Sequence, residues 1–387
     1  MSVTTIKPAN EAEIADTLRD AAEKGTSFEI VSGGTKRAYG RPVAADAILD
    51  ASAISGILKY EPEELVLTAR AGTPLAEIEA ALAEKNQTLG FEACDWGPLF
   101  GAGAGHATLA GIVAANACGA RRVRAGAVRD HVIGCRFVNG RGEAIAAGGH
   151  VIKNVTGFDL PKLMCGAFGT LGVLTELTLR VTPAPERVAV LELRDCAAER
   201  GLHGLRQAAS LAVEPTGLAY FPSEANAYIR VEGTAPAIAE KLRVLQTHFA
   251  DHAAAIMADD ETRALFRDIA NGVVFVNRDS DIWRLCVPSS EAYAAVEAAN
   301  AQLWYADWAG GLLWLGLPAS EETAQRLRAI VSRFGGHATL MRGRAEARTR
   351  LDVFEPETPT RAGLTREVRA AFDPRHVLNP DRMYRDF

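Results

Sequence analysis

The sequence predicts an α+β fold, and three observations support this prediction. Apolar residues recur with the spacing of a helix in some segments and form short continuous runs in others, so helices and strands alternate along the chain. Residues 182–186, with the sequence TPAPE, interrupt this alternation and form the clearest linker. Hydrophobic residues are 48% and charged residues 23% of the 387 residues, a composition typical of folded globular proteins.

The charge and the cysteines limit the class of protein. A net charge of −6 disfavours a nucleic-acid partner, since such proteins usually carry a basic face. The six cysteines lie far apart without a Cys-x-x-Cys pair, so we expect buried free thiols and no iron–sulfur cluster or zinc site in this chain. The N-terminus lacks the apolar core of a secretory signal, and the sequence has no apolar run of about 18 residues. We therefore expect a cytoplasmic protein without a membrane span, with association at the inner membrane surface through partners as an alternative.

The chain opens with a helix followed by short strands. Asn10 is predicted to cap this helix with Glu13 at the capping-box position, and Gly25 follows its last residue. Strands are predicted at 28–31, 47–49 and 65–71. Thr73, followed by Pro74, predicts the start of a second helix.

A glycine-rich stretch and a hairpin come next. Residues 97–105 lead into an apolar helix at 109–118, which Thr108 is predicted to cap and Gly119 to close. Strands are predicted at 132–138, 143–147 and 173–181, the first two joined as a hairpin by an Asn-Gly pair.

Beyond the linker, strands and helices alternate in a pattern that two ferredoxin-like α/β sandwiches would accommodate. Predicted strands lie at 188–193, 217–221, 227–231, 272–276, 282–287, 312–317 and 337–340. Predicted helices lie at 197–211, 235–249, 289–301 and 321–334. A last helix is predicted after residue 361, before the Asp-Pro and Asn-Pro pairs at 373–374 and 379–380.

Two glycine-containing loops could bind phosphate. The first, residues 32–36 (SGGTK), follows a predicted strand, and its paired glycines would let successive backbone N–H groups approach an anion. A simple turn is the alternative for this loop. The second, residues 101–111 (GAGAGHATLAG), lacks the spacing of a dinucleotide fingerprint and the Gly-Lys-Ser/Thr ending of a P-loop. It leads into the helix that Thr108 caps, whose N-terminus would favour phosphate unless the glycines only permit tight packing.

A third segment, residues 116–130, combines small residues, turn glycines and four arginines. Such a segment suits either an extended ligand or a solvated loop. The two phosphate-competent loops belong to one α/β module, so their combination suits a pyrophosphate that is held from two sides.

The order of these motifs resembles a known family. Five motifs follow one another along the chain, at 32–36, 108–111, 115–119, 126–130 and 169–176. Together they resemble the FAD-binding domain of the vanillyl-alcohol-oxidase/PCMH-type flavoproteins, and residues 372–374 and 378–380 resemble that family's closing flavin-side segment. Residues 151–160 and the short C-terminal half are similar to the FAD-binding subunits of glycolate oxidase (glycolate dehydrogenase).

The resemblance implies a domain organisation. Residues 1–184 would form a two-subdomain PCMH-type FAD-binding domain. Residues 185–345 would form a smaller α/β (ferredoxin-like) substrate or cap domain, and residues 346–387 would pack back on the FAD domain.

The resemblance also implies FAD and the residues that hold it. Gly33 and Lys36 belong to the loop that would cradle the pyrophosphate from one side, with Thr108 and Gly111 on the other. The implied cofactor-binding residues are Ser32, Gly33, Gly34, Thr35, Lys36, Arg37, Thr108, Leu109, Gly111, Asn116, Gly119, Gly126, Asp130, Gly172, Val173 and Asn379. Many relatives attach flavin through a histidine in the first loop, where this chain has Thr35 and Lys36, so we expect non-covalent FAD.

The activity implied by the resemblance is oxidation of a 2-hydroxy acid, glycolate or D-lactate, by hydride transfer from its α-carbon to flavin. Implied partners are a second FAD-containing catalytic subunit and an iron–sulfur subunit, which would receive the electrons. Two alternatives stay open: a non-catalytic FAD relay or structural subunit of that complex, and the FAD domain of another PCMH-type oxidoreductase.

Substrate and catalytic residues are less well defined by the sequence. The histidine-rich signature of the larger 2-hydroxy-acid dehydrogenases does not occur in the C-terminal half, so no catalytic base is assigned. His248 and His252 stand one helical turn apart, which more often marks a solvated face than a metal site, and no metal is expected. Arg284, Arg342 and Arg344 are candidates for a substrate carboxylate, because the guanidinium fork donates two parallel hydrogen bonds. Binding to a neighbouring loop or a partner is the alternative role for Arg342 and Arg344.

Overall fold

The computed structural model describes residues 4–149, 158–257 and 259–385, which fall into two compact units. The first unit contains the chain up to Cys118, Gly126–Ala184, and the C-terminal part from Pro356. The second unit contains Gly119–Ala125 and Pro185–Glu355. This division differs from the predicted one at two places, because residues 119–125 and 346–355 pack with the second unit. Most of the 151–160 motif lies outside the described residues.

Two sheets form the first unit. Its strands are β1 (Thr4–Ile6), β2 (Phe28–Val31), β3 (Ala47–Asp50), β4 (Ile57–Glu61), β5 (Val66–Arg70), β6 (Gln87–Leu89), β7 (Val132–Val138), β8 (Ala144–Gly148) and β9 (Val173–Pro183). Its helices are α1 (Glu11–Lys24), α2 (Leu75–Ala83), α3 (Leu109–Ala115), α5 (Leu160–Met164) and α12 (Pro359–Phe372), and α4 (Arg122–Ala125) lies in the second unit. The smaller sheet is parallel with the order β1-β3-β2, and the larger is antiparallel with the order β4-β5-β9-β7-β8 and with β6 beside β9.

The first helix has the predicted caps. The side chain of Asn10 accepts a hydrogen bond from the Glu13 N–H at 3.0 Å, and the Glu13 carboxylate accepts from the Asn10 amide at 2.8 Å. Gly25 ends the helix in the left-handed region, with φ of 72°. The apolar stripe of α1, which includes Ile14 and Leu18, is buried in the same cluster as β2 and β3.

Two predicted helix boundaries in the first unit are wrong, one because a side chain bonds elsewhere and one because the backbone turns earlier than predicted. The Thr73 hydroxyl does not cap α2: it donates to the Arg70 carbonyl at 2.6 Å and accepts from the Gly56 N–H at 2.9 Å. Helix α3 ends at Ala115 rather than at 118, because Asn116 takes the left-handed conformation with φ of 47°. Asn116, rather than Gly119, therefore closes this helix.

The C-terminal segment after α12 completes the first unit. The Val377 carbonyl accepts from the Phe28 N–H at 2.7 Å, and the Asn379 N–H donates to the Phe28 carbonyl at 2.9 Å. Asp373 is fully buried and accepts from the N–H groups of Val377 and Leu378, both at 2.9 Å. These bonds align the segment beside β2.

A single eight-stranded antiparallel sheet forms the second unit, with the order β13-β10-β12-β11-β15-β16-β14-β17. Its strands are β10 (Arg187–Arg194), β11 (Gly217–Phe221), β12 (Asn226–Gly233), β13 (Ala253–Met257), β14 (Ile282–Cys286), β15 (Leu303–Asp307), β16 (Leu312–Gly316) and β17 (His337–Arg342). Its helices besides α4 are α6 (Ala198–Ser210), α7 (Ala235–His248), α8 (Asp259–Asn271), α9 (Ala292–Ala299), α10 (Glu321–Phe334) and α11 (Ala345–Arg350).

The predicted ferredoxin-like pattern is confirmed and occurs twice in this sheet. Each half runs β-α-β-β-α-β, the first from β10 to β13 and the second from β14 to β17, with α8 between them. In both halves the fourth strand lies outside the first and the third lies beside the second. The second strands, β11 and β15, pair with each other, so the two halves share one sheet.

The two faces of this sheet differ. One face carries the main apolar core, in which helix residues such as Leu202, Leu245 and Leu327 surround strand residues such as Trp283. On the other face, the Tyr305 hydroxyl donates to the Ile269 carbonyl of α8 at 2.8 Å. Helix α8 therefore lies against this second face.

Several predicted elements of the second unit need correction. Residues 272–276 are not a strand: Val273–Phe275 form a single 3-10 turn after Gly272, and Phe275 is buried against Tyr305 and Trp314. The strand β13 was not predicted, because its sequence AAAIM lacks the branched and aromatic residues typical of strands. The elements β15, α8 and α11 were also not predicted.

Candidate cofactor site

Two adjoining cavities, both open to solvent, lie in the first unit between the end of β2 and the start of α3. Both are lined by Ile30, Val31, Ser32, Gly111, Ala114, Phe168 and Asn379. The shared lining makes them one elongated recess. Its polar end is built by the loop at residues 33–37, and its apolar end includes Met164 and Val173.

Gly33 brings the two predicted phosphate loops into direct contact. A Cβ atom at this position would lie 1.8 Å from the carbonyl oxygen of His106 and 3.0 Å from the Thr108 methyl group. No real Cβ tolerates such an approach, so only glycine lets the loops meet. Gly34 follows with φ of 74°, a conformation that favours glycine.

The start of α3 differs from the expectation of free N–H groups. The Leu109 N–H donates to the Thr73 carbonyl at 3.0 Å, and the Ala110 N–H donates to the Ala71 carbonyl at 2.6 Å. The Gly111 N–H makes a long bond of 3.4 Å to the Thr108 hydroxyl, which caps the helix as predicted. Gly111 therefore lines the recess mainly as a residue without a side chain, and the helix start does not offer a row of free donors.

Lys36 places a buried positive charge at the polar end. Its side chain is 9% exposed, its Nζ donates to the Cys94 carbonyl at 2.9 Å, and it lies 5.7 Å from the centroid of the Trp96 ring. Burial lowers the pKa of this ammonium to about 8, against the opposing effect of Cys94 and Asp95. At neutral pH most of the Lys36 side chains are still protonated.

Two arginines support the same loop. The Arg37 guanidinium donates to both carboxylate oxygens of Glu29, at 2.9 and 2.5 Å, so its charge is directed to that side chain. Arg382 donates to the Lys36 carbonyl at 2.9 Å from the C-terminal segment. Arg382 also lines the recess and was not predicted, because its position follows only from the return of that segment.

The apolar end is shaped by two glycines and by Asn379. A Cβ atom at Gly172 would lie 2.6 Å from the Phe137 ring, and Gly169 takes φ of 69° beside the Asn379 side chain. The Asn379 amide accepts from the Ile30 N–H at 2.8 Å and donates to the Phe168 carbonyl at 2.7 Å. Asn379 therefore joins two walls of the recess.

Eleven of the sixteen predicted cofactor residues line this recess. They are Ser32, Gly33, Gly34, Thr35, Lys36, Arg37, Thr108, Gly111, Gly172, Val173 and Asn379. Apolar lining residues such as Phe168 were missed, because nothing in the sequence distinguishes them from core residues.

The other five predicted residues lie outside the two cavities. Leu109 is fully buried in the core. Asn116 accepts from the Arg129 N–H at 3.2 Å, and Asp130 accepts from the Ala127 N–H at 2.8 Å in the turn that Gly126 begins. Gly119 belongs to the second unit, where its carbonyl accepts from the Trp308 indole N–H at 3.1 Å.

The three candidate substrate arginines have different surroundings. Arg342 donates to the carbonyls of Phe275, Arg278 and Ser280 at 3.1, 2.7 and 2.7 Å. Its guanidinium therefore stabilises this loop, which is the alternative role named for it, and is not directed at a substrate. Arg344 is exposed at the start of α11. Arg284 lies in β14 with its guanidinium carbon 4.8 Å from the centroid of the Trp314 ring.

No metal site is found among the described residues. In residues 4–149, 158–257 and 259–385, no three His, Cys, Asp or Glu side chains are grouped so that they could hold a metal ion. The His252 ring accepts from Arg200 at 3.1 Å, and both His248 and His252 contact the Phe249 ring. Over the same described ranges, no helix is long and apolar enough to cross a bilayer.

Comparison with known proteins gives a consistent result. Residues 4–148 match the family described as the FAD binding domain. The chain is 32% identical over 373 residues to "Glycolate oxidase subunit GlcE" of Escherichia coli K12. The aligned residues cover 96% of this chain and 96% of that protein. This chain belongs to the glycolate oxidase subunit GlcE family.

Other relatives match over a shorter stretch or by fold alone. The D-2-hydroxyglutarate dehydrogenase of Xanthomonas citri is 32% identical over 190 residues, which are 48% of this chain and 38% of that protein. A solved alkyldihydroxyacetonephosphate synthase has a TM-score of 0.70 and 16% identity, and the match covers 97% of this chain and 75% of that one. The fold of this chain is therefore that of the PCMH-type flavoproteins, as the motifs predicted.

The cofactor of this GlcE-family chain is FAD, and the recess fits it. FAD is long, with a charged pyrophosphate in its middle and flat ring systems at its ends. The recess is likewise elongated, with glycine backbone and the Lys36 charge at one end and apolar walls at the other. At Gly33 a side chain would collide with the His106 carbonyl, so only glycine lets the two loops at the polar end meet. The chain is thus an FAD-linked oxidoreductase by family.

Proposed function

We propose that this chain is the FAD-binding, GlcE-type subunit of a complex that oxidises a 2-hydroxy acid, glycolate or D-lactate, to the 2-oxo acid. The observation that carries the proposal is the elongated recess of the first unit, built by residues 32–36 in a chain similar to GlcE along almost its whole length. Flavin supplies the redox chemistry when bound, because it can accept a hydride from the α-carbon of the acid.

The residues of the recess would hold FAD in distinct ways. The backbone of Gly33 and Gly34 would face the pyrophosphate, and the Lys36 ammonium would partly neutralise its charge. Asn379 would hold the walls of β2 and the Phe168 loop apart at a fixed width. We infer non-covalent attachment, because Thr35 and Lys36 stand where a linking histidine would be needed.

The electrons would pass to partner subunits. The relative that matches over 96% of this chain is named as a subunit, which supports assembly with further chains. We propose a second FAD-containing catalytic subunit and an iron–sulfur subunit as these partners. The tagged chain, isolated from the cells that produce it naturally, should then co-purify with a second flavoprotein and with iron. Recovery of the chain alone would contradict the assembly.

The reaction is tested on the purified holoprotein without oxygen. Added glycolate or D-lactate should bleach the long-wavelength flavin absorption band, and the 2-oxo acid should form in equal amount. A band that persists with both acids would contradict substrate oxidation by this chain.

An FAD relay without substrate oxidation is the second candidate. It is favoured by the surroundings of the histidines: His252 is bonded to Arg200 and His203 to Arg206, so neither is placed as a proton acceptor. A relay would keep its flavin oxidised with the acids but would exchange electrons with the partner flavoprotein. The same anaerobic experiment, repeated with the partner present, separates the two functions.

A further inference from the structure

Residues 94–106 form a loop that touches the first predicted phosphate loop at both of its ends. At the start of the 94–106 loop, the Cys94 carbonyl accepts a hydrogen bond from the Lys36 ammonium at 2.9 Å. At its end, the His106 carbonyl lies so close to Gly33 that a Cβ atom there would be only 1.8 Å from the carbonyl oxygen. The shape of the 94–106 loop therefore determines how Lys36 and Gly33 are held at the polar end of the recess.

Asp95 closes this loop. One oxygen of its carboxylate accepts from the Gly97 N–H at 3.1 Å, and the other accepts from the Gly105 N–H at 2.6 Å. Gly97 also packs against the opposite side of the loop, because a Cβ atom there would lie 2.3 Å from the Gly103 carbonyl oxygen. Residues 101–106 are exposed to solvent, so they gain little from packing. The two bonds to Asp95 therefore tie one end of the loop to the other.

Asp95 also supplies negative charge beside Lys36. Burial lowers the pKa of Lys36 to about 8, and the charges of Cys94 and Asp95 both oppose that shift. A carboxylate is the group of the two that is ordinarily ionised at neutral pH. Asp95 is not among the residues that line the two cavities, so its effect on the recess is transmitted through its neighbours.

The other charged groups around Lys36 keep a constant charge above neutral pH. Arg37 is paired with Glu29 at 2.9 Å, and Arg382 donates to the Lys36 carbonyl at 2.9 Å. Guanidinium groups stay protonated and carboxylates stay ionised in this range, which also lies above the ordinary pKa of histidine side chains. A change of FAD affinity between about pH 7 and 9 is therefore expected to follow Lys36. Lys36→Met separates this effect from titration of the Cys94 thiol.

We propose that Asp95 is a positioning residue for the FAD pyrophosphate, which fixes the 94–106 loop between Lys36 and Gly33 and balances the charge of the Lys36 ammonium. The inference rests on the proposed placement of FAD in the recess. A carboxylate near the pyrophosphate also repels it, so removal of the Asp95 charge would strengthen FAD binding if this residue had no positioning role. The proposal predicts the opposite sign.

The test compares the FAD affinity of cofactor-free wild type and Asp95→Asn at a series of pH values. The asparagine has the same size but no charge, and its single oxygen cannot replace both carboxylate oxygens. We expect FAD affinity at pH 7 to fall about tenfold, because one charge-assisted bond is lost and the other is weakened. The pH above which the affinity declines should also move below that of the wild type, because Lys36 loses a countercharge. A purely structural role would weaken binding equally at every pH.

Hydrogen–deuterium exchange of the cofactor-free protein reports on the loop without FAD. Exchange at residues 97–105 should be faster in Asp95→Asn than in the wild type, because Gly97 and Gly105 lose their carboxylate acceptor. Asp95→Glu keeps the charge but displaces it. It should bind FAD more weakly than the wild type and keep the wild-type pH dependence, and it tests the role of Asp95 even where Asp95→Asn fails to fold.

The matched control is Asp16→Asn, which removes an exposed carboxylate of α1 that pairs with Arg19 and should change neither measurement. Thermal unfolding of each variant shows whether it is folded. An FAD affinity of Asp95→Asn that equals or exceeds that of the wild type would overturn the proposal, as would a loss of affinity with an unchanged pH dependence. If Lys36→Met binds FAD like the wild type, the placement of FAD is wrong. If Lys36→Met weakens binding and Asp95→Asn does not, the placement stands and only the role of Asp95 fails.

Discussion

At the scale of single residues, Lys36 is the most informative group of the cofactor site. A lysine that is 9% exposed loses much of its hydration, and burial lowers its pKa from 10.5 to about 8. The unfolded chain binds this proton more tightly than the folded chain. The cofactor-free protein should therefore gain stability as the pH rises from about 8 towards 10.5.

FAD binding should show the opposite trend with pH. The pyrophosphate favours the protonated ammonium, so FAD affinity should fall as the pH rises through about 8. The variant Lys36→Met should bind FAD about tenfold more weakly at pH 7 and should lose this dependence between pH 7 and 9. Quenching of free FAD fluorescence on titration with protein measures the affinity.

The control for Lys36→Met is Lys24→Met, which removes an exposed lysine at the end of α1. It should keep both the affinity and its pH dependence. A Lys36→Met protein with the wild-type pH profile would show that another group titrates.

Gly33 gives a second prediction at this scale. A methyl group at residue 33 would collide with the His106 carbonyl, so Gly33→Ala must separate the two loops. We expect FAD content after purification to fall at least tenfold and the protein to be destabilised by about 1–3 kcal/mol. The absorption ratio of flavin to protein and the thermal unfolding temperature measure the two effects. Wild-type FAD content in Gly33→Ala would contradict the contact between the loops.

At the scale of elements, α12 offers a simple test of helix energetics. Gly363 lies inside this helix, has an ordinary φ, and a Cβ built there meets no atom within 4 Å. Gly363→Ala should stabilise the protein by about 0.5–1 kcal/mol, because alanine loses less backbone entropy in a helix. The midpoint of thermal unfolding should rise while FAD content stays constant. A lower midpoint would mean that the helix packs more tightly at this position than described.

The elements also show how far local sequence patterns reach. The strand Phe28–Val31, the helix Glu321–Phe334 and the capped helix α1 were predicted from periodicity and from flanking residues, because these signals are local. The apolar residues at 272–276 do not form a strand. They are apolar because Phe275 packs against Trp314 on a face of the sheet. Helix α8 was not predicted although its sequence carries a local signal, since Thr262, Phe266 and Ile269 recur with helical spacing and are buried.

At the scale of the whole molecule, the C-terminal segment decides whether the first unit is complete. Arg369 and Asp373 are buried with 1% and 0% of their side-chain surfaces exposed, and they stand 3.4 Å apart. Arg369 also donates to the Leu378 carbonyl at 2.8 Å, so the pair holds the turn that leads to Asn379. Burial lowers the pKa of Arg369, and the charge of Asp373 opposes that shift.

Removal of one partner should therefore disrupt the Arg369–Asp373 pair and the turn that it holds. Asp373→Ala leaves two N–H groups and a buried guanidinium without their carboxylate, and we expect a loss of about 3–5 kcal/mol. FAD should be lost as well, because the turn positions Asn379 in the wall of the recess. Chemical denaturation measures the loss. Asp373→Asn should lose less stability than Asp373→Ala. Equal stability of the wild type and Asp373→Ala would contradict the stabilising role of the Arg369–Asp373 pair.

The sequence by itself determined the α+β class, the doubled ferredoxin-like pattern and half of the residues that line the FAD recess. The fold class and the strand–helix pattern depend on periodicity, caps and turn residues, which act over a few neighbouring residues, whereas the lining residues were implied by the resemblance of the motifs to a known family. Only the tertiary structure decided what the long polar side chains do. Arg342 is bonded to loop carbonyls, Asn116 ends a helix, and Arg122 meets Trp308 across much of the chain. A guanidinium or amide bonds whichever acceptor the fold brings within reach, and no local pattern records that acceptor.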